Sequence, residues 1–438
     1  MRSLAPELLF LILALSVGIP AQSNELAKQT GELSAVEQSM AAWVDTQQAQ
    51  MVAELKAHVD INTGTENVAG IDAYRALLEG ELQQLGFATQ TIEARPQTIL
   101  SCDGEPLQLA DHLLAERKGK PGARRIFLNG HMDTVFSLRD EFQTLKIDED
   151  GTLHGPGVAD MKGGIVVMMT ALRALATEAL LDDAHITVLL NSDEEVGSLH
   201  SRELIETLAQ AHDIGLVFEG TTENRMTRAR KGLGQVRLKV IGRESHAGGA
   251  HADGVSANLE LAHKIIAIES LTDYAQQITV NTGVMRGGEK RNTVPGCADA
   301  YIDLRFPDQT AGENLQSKIN AIVASPSTQR QRFEGLPYTE MWSVLHRPAK
   351  QPDATVDALI GEITAISQSF ASPIEGTVYS GGGTDGSIAQ HAGLPTVDSL
   401  GVDGGGAHSS REFSSIQSLV TRSKLAAVLL SRQIQLDP

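Results

Sequence analysis

Residues 184–197 constrain the fold most. They begin as an apolar, partly β-branched run, Ala184-His-Ile-Thr-Val-Leu-Leu190, which predicts a buried strand. Directly beyond it come Asp193, Glu194 and Glu195, then Gly197. A strand that stops in clustered carboxylates sets them at its carboxyl edge, where open α/β sheets bind ligands. Carboxylates this close repel one another unless a cation neutralises them. A metal meets that need, with one carboxylate as ligand and its neighbour as proton carrier. An isolated Asp-Glu-Glu can equally be a solvated acidic turn, so the rest of the chain decides.

The same pattern recurs. Arg125-Ile-Phe-Leu-Asn-Gly130 predicts a short buried strand that delivers His131-Met132-Asp133, and Ile214-Gly-Leu-Val-Phe218 predicts another that ends in Glu219. The glycine-rich loop 150–157 delivers Asp160 and opens an apolar helix over 165–176. Helices are expected over 24–62 and over 71–85, the second stopped by Gly86. Helices alternating with strands whose ends carry candidate ligands predict an α/β fold, a mostly parallel sheet flanked by helices.

From Lys231 the texture changes. Gln235-Val-Arg-Leu-Lys-Val-Ile241 alternates polar and apolar residues, as a half-exposed antiparallel strand does. Further strand material at 278–280, 299–306 and 345–347, with a helix over 256–269, predicts an inserted α+β unit. The loop Ser380-Gly-Gly-Gly-Thr-Asp385, a strand over 395–400 and a long terminal helix return to the first texture. The expected organisation is a signal peptide over 1–23, a main domain that carries the candidate ligands over 24–230 and 348–438, and an inserted α+β domain over 231–347.

The N-terminal reading rests on the apolar run 8–17, preceded by one basic residue, Arg2, and followed by Ala21-Gln-Ser23. That predicts a secretory signal cut after Ser23, and hence a periplasmic or secreted protein with no stable membrane insertion after cleavage. A net charge of −19 argues against nucleic acid and anionic membrane surfaces as partners. Cys102 and Cys297 are the only cysteines. They make neither a disulfide framework nor a thiolate metal site, and whether they pair is not legible.

His131, Asp160, Glu195, Glu219 and His408 form a ligand set of imidazoles and carboxylates without sulfur. It suits two zinc ions with one carboxylate bridging, and would also accept manganese or cobalt. Asp133 is expected behind His131, its carboxylate accepting the second imidazole N–H.

The order His131-x-Asp133, Gly157-x-x-Asp160-Met-Lys-Gly-Gly164, Asp193-Glu-Glu195-x-Gly197, Glu219, Ser245-His-Ala-Gly248, Asn292 and His408 resembles the zinc exopeptidase and amidohydrolase family. That family includes glutamate carboxypeptidases of the folate-cleaving type, aminoacylases and desuccinylases, and the chain looks most like the carboxypeptidase branch. The resemblance implies that Asp160 bridges two zincs, with Glu195 and His408 completing one site and His131 and Glu219 the other. It implies that Asp133 orients His131 and that Glu194 is the general base, removing a proton from a zinc-bridged water. It also implies a non-proline cis peptide near Asp160, a smaller domain that closes over the site, and a homodimer formed through that domain. His246 would donate to the developing oxyanion and Asn292 would lie near the scissile bond. Arg347 aligns loosely with the position that holds a substrate carboxylate, and Gly382 and Gly383 could offer it backbone N–H groups. Arg305 fits better as a structural arginine beneath the lid.

The leading expectation is an exported zinc carboxypeptidase that releases a C-terminal residue, with glutamate as one candidate. An N-acyl amino acid amidase of the same chemistry is the nearest alternative. A catalytically inactive binding module would have lost a ligand or the base, and this chain keeps all of them.

Overall fold

The computed structural model describes residues 31–95, 97–104, 106–328 and 333–436. The expected signal peptide lies outside them. A six-stranded sheet carries the site, in the spatial order Ala88–Ile92, His112–Arg117, His185–Asn191, Arg125–His131, Ile214–Val217 and Thr396–Val397. The last four run parallel to one another, and the first two are added antiparallel at one edge.

The parallel strands are apolar on both faces because both are covered. Ile126 and Leu128 join Ile186, Val188 and Leu190 in the main core. Phe127 and Leu189, one residue out of phase, face a smaller core with Ile205, Ala209 and Ile388. A period of two thus divides one short run between two helical layers. The larger layer centres on the almost wholly buried helix Lys162–Thr177 and the terminal helix Ile416–Ile434 packed on it. The N-terminal segment expected as one helix is two, Ala35–Thr46 and Gln48–Val59, with Gln47 between them outside helical geometry (φ −94°, ψ 0°). The helix Val68–Gln84 ends as expected, with Gly86 at φ 80°.

Register fixes what meets at the carboxyl edge. His131 pairs with Asn191, and Asn129 pairs with Val217. Glu219, two residues past Val217, therefore comes level with His131. Asp193 to Glu195 follow immediately beyond Asn191.

Gly164 lets the central helix approach this edge. A Cβ there would lie 1.8 Å from the carbonyl oxygen of Phe218, the residue before Glu219. Gly164→Ala is expected to destabilise the fold by about 3 kcal/mol through overpacking against backbone, read as a lower denaturant midpoint.

The insert is a four-stranded antiparallel sheet in the order Thr279–Gly287, Cys297–Phe306, Gly232–Ile241 and Tyr338–Arg347. The Gly232–Ile241 strand alternates buried with half-buried residues over its second half. Its inward face, with the helices Ala257–Glu269 and Gln309–Val323, encloses a separate core around Val236, Leu238, Leu261 and Ile319. The chain is thus α/β with an inserted α+β unit.

Cys102 and Cys297 form a disulfide. It joins the loop between the two antiparallel edge strands of the large sheet to the sheet of the insert. Cys297→Ser is expected to lower stability by about 2–5 kcal/mol, an effect that a reductant reproduces in the parent and not in the variant. No helix among the described residues is long and apolar enough to cross a membrane.

Candidate metal centre

Two imidazoles face the two oxygens of one carboxylate. His131 Nε2 lies 3.2 Å from Asp160 Oδ1, and His408 Nε2 lies 3.2 Å from Asp160 Oδ2. Glu219 Oε1 is 3.6 Å from His131 Nε2, and Glu195 Oε2 is 3.2 Å from His408 Nε2. All five expected ligands therefore converge, in two sets that share Asp160. Ligand atoms of His131, Asp160 and Glu195 lie within 4.8 Å of one another.

Local structure places each expected ligand. His131 and Glu219 follow from strand register. Asp160 ends the glycine-rich loop, and its peptide bond to Met161 is cis, as the resemblance implies. Glu412 shapes this loop from behind, its carboxylate accepting the N–H groups of Gly157, Ala159 and Asp160. Burial pushes the Glu412 carboxyl up to about 7. His408 leaves a loop of three glycines with φ at 61°, a conformation few non-glycine residues adopt.

Asp133 stands behind His131 and accepts its second ring N–H as expected, chiefly through its main chain. The His131 Nδ1–H donates to the backbone carbonyl of Asp133 at 2.9 Å, while the carboxylate stands 3.4 Å away. That carboxylate accepts the N–H groups of Glu194 and Glu195 and the hydroxyl of Thr65. Asp133 thus holds the imidazole with its main chain and the Glu194–Glu195 turn with its side chain. With Nδ1 donating, Nε2 is the ring nitrogen left for a metal.

Asp193 belongs to the acidic run but not to the cluster. Its buried carboxylate accepts the N–H groups of His200 and Ser201 and the Ser201 hydroxyl, just ahead of the helix Arg202–Ala211. Glu194 turns the other way, into the cleft. Arg347 Nη2 contacts its Oε1 and donates to its backbone carbonyl at 2.9 Å. The same guanidinium reaches Ser198 and Asp385. Arg347 is 2 % exposed, so here it is a clamp on Glu194 and not an open fork.

Burial raises the carboxyls of Glu194, Glu195 and Glu219, with Glu195 reaching about 8 and Glu219 going well above its usual range. Burial also opposes ionisation of Asp160, but hydrogen bonds from His131 and His408 hold it low. His131 is held well above its ordinary value: burial works against its charge, and Glu219, Asp133 and Asp160 outweigh burial. Hydrogen bonds to Asp160 and Glu195 lift His408 to about 11.

The cleft has a volume of about 660 Å³. Asp160, Glu194, Glu195, Glu219 and His408 line it, and so do Arg347, Gly382 and Gly383. The Gly382 N–H is taken by Ser380 Oγ, and a Cβ on Gly383 would meet the Arg347 side chain at 2.5 Å. Arg305 also lines the cleft, paired with Asp303. His246 and Asn292 are exposed and lie outside the lining residues. They sit beside each other where Ser245–His246 pairs with Thr293–Val294, and a single chain does not bring them to the acids. His246 Nδ1 accepts N–H groups from Gly248 and Gly249, which leaves Nε2 as the donor in the neutral ring.

Sequence reasoning missed Glu412, Asp385 and Arg230. Arg230 is buried against Asp398, which also pairs with buried Lys350. Asp385 ends the triple-glycine loop, and that loop was the one available signal. Glu412 stands in no recognisable pattern.

Residues 127–432 match the model of peptidase family M20/M25/M40. Carboxypeptidase G2 of Pseudomonas sp. strain RS-16 is 29% identical over 390 residues, covering 88% of this chain and 89% of that protein. A succinyl-diaminopimelate desuccinylase of Erythrobacter litoralis is 28% identical over 277 residues, covering 60% of this chain and 71% of that one. Among solved structures, an M20 metallo-carboxypeptidase of Sulfolobus solfataricus superposes with a TM-score of 0.67 at 16% identity, covering 88% of this chain and 100% of that chain. With strand-end ligands, the shared carboxylate and this match in hand, the chain belongs to peptidase family M20/M25/M40 and is a metallo-exopeptidase or amidohydrolase of that family.

Proposed function

We propose that this protein is an exported di-zinc carboxypeptidase that hydrolyses the amide bond to a C-terminal amino acid, with glutamate the first candidate. The observation that carries the reading is the Asp160 carboxylate, each oxygen 3.2 Å from a different imidazole. His131 and Glu219 would hold one zinc, His408 and Glu195 the other, and Asp160 both. When bound, the metals supply Lewis acidity and a water that loses its proton near neutral pH.

The chain's own residues would do the rest. Glu194 lies outside both ligand sets and lines the cleft. It takes the proton of the attacking water and returns it to the leaving nitrogen. Asp133 fixes the turn that carries Glu194, and Arg347 fixes its carboxylate. The Gly382–Gly383 loop lines the same cleft, and a substrate carboxylate would gain Arg347 only by displacing the contacts that now hold it to Glu194. The His246 Nε2 donor and Asn292 would reach the scissile carbonyl from the insert of a second copy, which is the dimer expected from the family resemblance. Export is supported by the N-terminal stretch in the sequence and by the disulfide, since disulfides persist in oxidising compartments.

The test is a matched substrate panel with zinc-loaded mature protein: p-aminobenzoyl-glutamate, dipeptides ending in Glu, Ala and Leu, and N-acetyl amino acids. Hydrolysis of the glutamyl or peptide substrates is the expected result. Turnover confined to N-acyl amino acids would instead establish the amidase reading, which the desuccinylase relative favours.

A further inference from the structure

A second cluster of metal-type donors lies in the helical layer over the large sheet. Glu54 and His58 share one face of the helix Gln48–Val59, four residues apart. Glu81 approaches from the helix Val68–Gln84. One ligand atom from each lies within 4.8 Å of the other two. The three line a cleft of about 460 Å³, whose wall includes Thr170 and Arg173 from the central helix. None of them touches the Asp160 cleft.

An ion-pair network explains only part of this arrangement. Arg173 donates to Glu54 Oε2 at 2.6 Å and to Glu81 Oε2 at 3.1 Å. It satisfies one oxygen of each carboxylate and leaves the others. Glu54 Oε1, His58 Nε2 and Thr170 Oγ1 have no hydrogen-bond partner, although these residues are 7%, 0% and 1% exposed. Buried polar atoms are rarely left so without a water, ligand or ion to meet them, and here three converge with a carboxylate oxygen of Glu81 nearby. Glu81 Oε1 stands 3.9 Å from His58 Nε2, too far for a hydrogen bond. A tetrahedral ion with bonds of about 2.0–2.2 Å would draw the two atoms in to roughly 3.4 Å, a small closure of this gap. The other ring nitrogen, His58 Nδ1, is held at 3.1 Å by the hydroxyl of buried Tyr74, as the second nitrogen of a ligating histidine usually is.

We propose that Glu54, His58 and Glu81 bind a further divalent cation of the zinc class, which clamps the helix Gln48–Val59 to the helix Val68–Gln84. An imidazole with two carboxylates selects zinc-like ions over magnesium or calcium. Water completes the shell from the open cleft. The site is structural and takes no part in hydrolysis.

The test is anomalous diffraction at the zinc edge from crystals of the mature protein grown with a small molar excess of zinc. It is paired with the zinc content of the dialysed parent and of Glu81→Gln. The expected result is an anomalous peak among the three side chains, a loss of one zinc equivalent in Glu81→Gln, and unchanged turnover in that variant. A peak at Asp160 with none at His58 overturns the proposal. So does an unchanged zinc content in a folded Glu81→Gln, or a peak that appears only at millimolar zinc. The diffraction arm needs no variant, so a misfolded substitution does not shield the idea.

Discussion

Glutamine at position 194 is expected to lower kcat by about 10²–10⁴-fold, the usual worth of a positioned general base, while both metals stay bound. The substitution keeps the shape of the side chain and removes only its ability to accept a proton. Neither ligand set contains Glu194, so zinc content should equal that of the parent. Arg347 loses an anionic partner but keeps Ser198 and Asp385, so the turn should hold. The measurement is kcat and KM on the best substrate of the panel, with zinc counted on the same sample. A variant that keeps its turnover would sink the assignment of Glu194 as the base. One that loses zinc as well as turnover would instead make it part of the metal centre.

Asparagine at position 160 should have the second large effect, of a different kind. Asp160 is the one carboxylate that both imidazoles address. Its amide would present one oxygen and one N–H group, so one side of the pair would meet a donor where it needs an acceptor. Loss of the shared ligand also leaves the bound cations without the charge between them. The dialysed variant is expected to lose at least one of the two zincs of this centre, with activity lowered about a hundredfold or more, since perturbing even an outer-shell partner costs 10–100-fold. His408→Ala should remove only the metal on its own side. A zinc content equal to that of the parent in Asp160→Asn would mean that the carboxylate does not bridge.

Much of this was legible in the chain because parallel strands translate sequence into position. Once the runs ending at His131, Leu190 and Phe218 are read as neighbouring strands, their next residues must share an edge. What stayed illegible is what depends on side-chain direction. Asp193, Glu194 and Glu195 are adjacent in sequence, yet the first turns inward to serve a helix start and the others face the cleft. Asp133 was read as a carboxylate behind an imidazole. Nothing in the sequence says that its carbonyl would do that work while its carboxylate gathers the next turn. The Cys102–Cys297 bond joins two separately built sheets, and no local pattern encodes such a meeting. His246 and Asn292 mark the opposite limit: they are adjacent to each other in space, but one chain alone does not carry them to the acids.

The division of the ligands along the chain bears on when the centre can exist. His131, Asp160, Glu195 and Glu219 are made early, whereas His408 lies beyond the entire insert and shortly before the terminal helix. A growing chain can therefore present the first imidazole set while the second is still incomplete. The last helix packs on the central one, and the loop bearing His408 leads into it. Completion of the pair is in that sense a terminal event of biosynthesis. A chain halted before that helix would carry the acids without the residue that closes the pair.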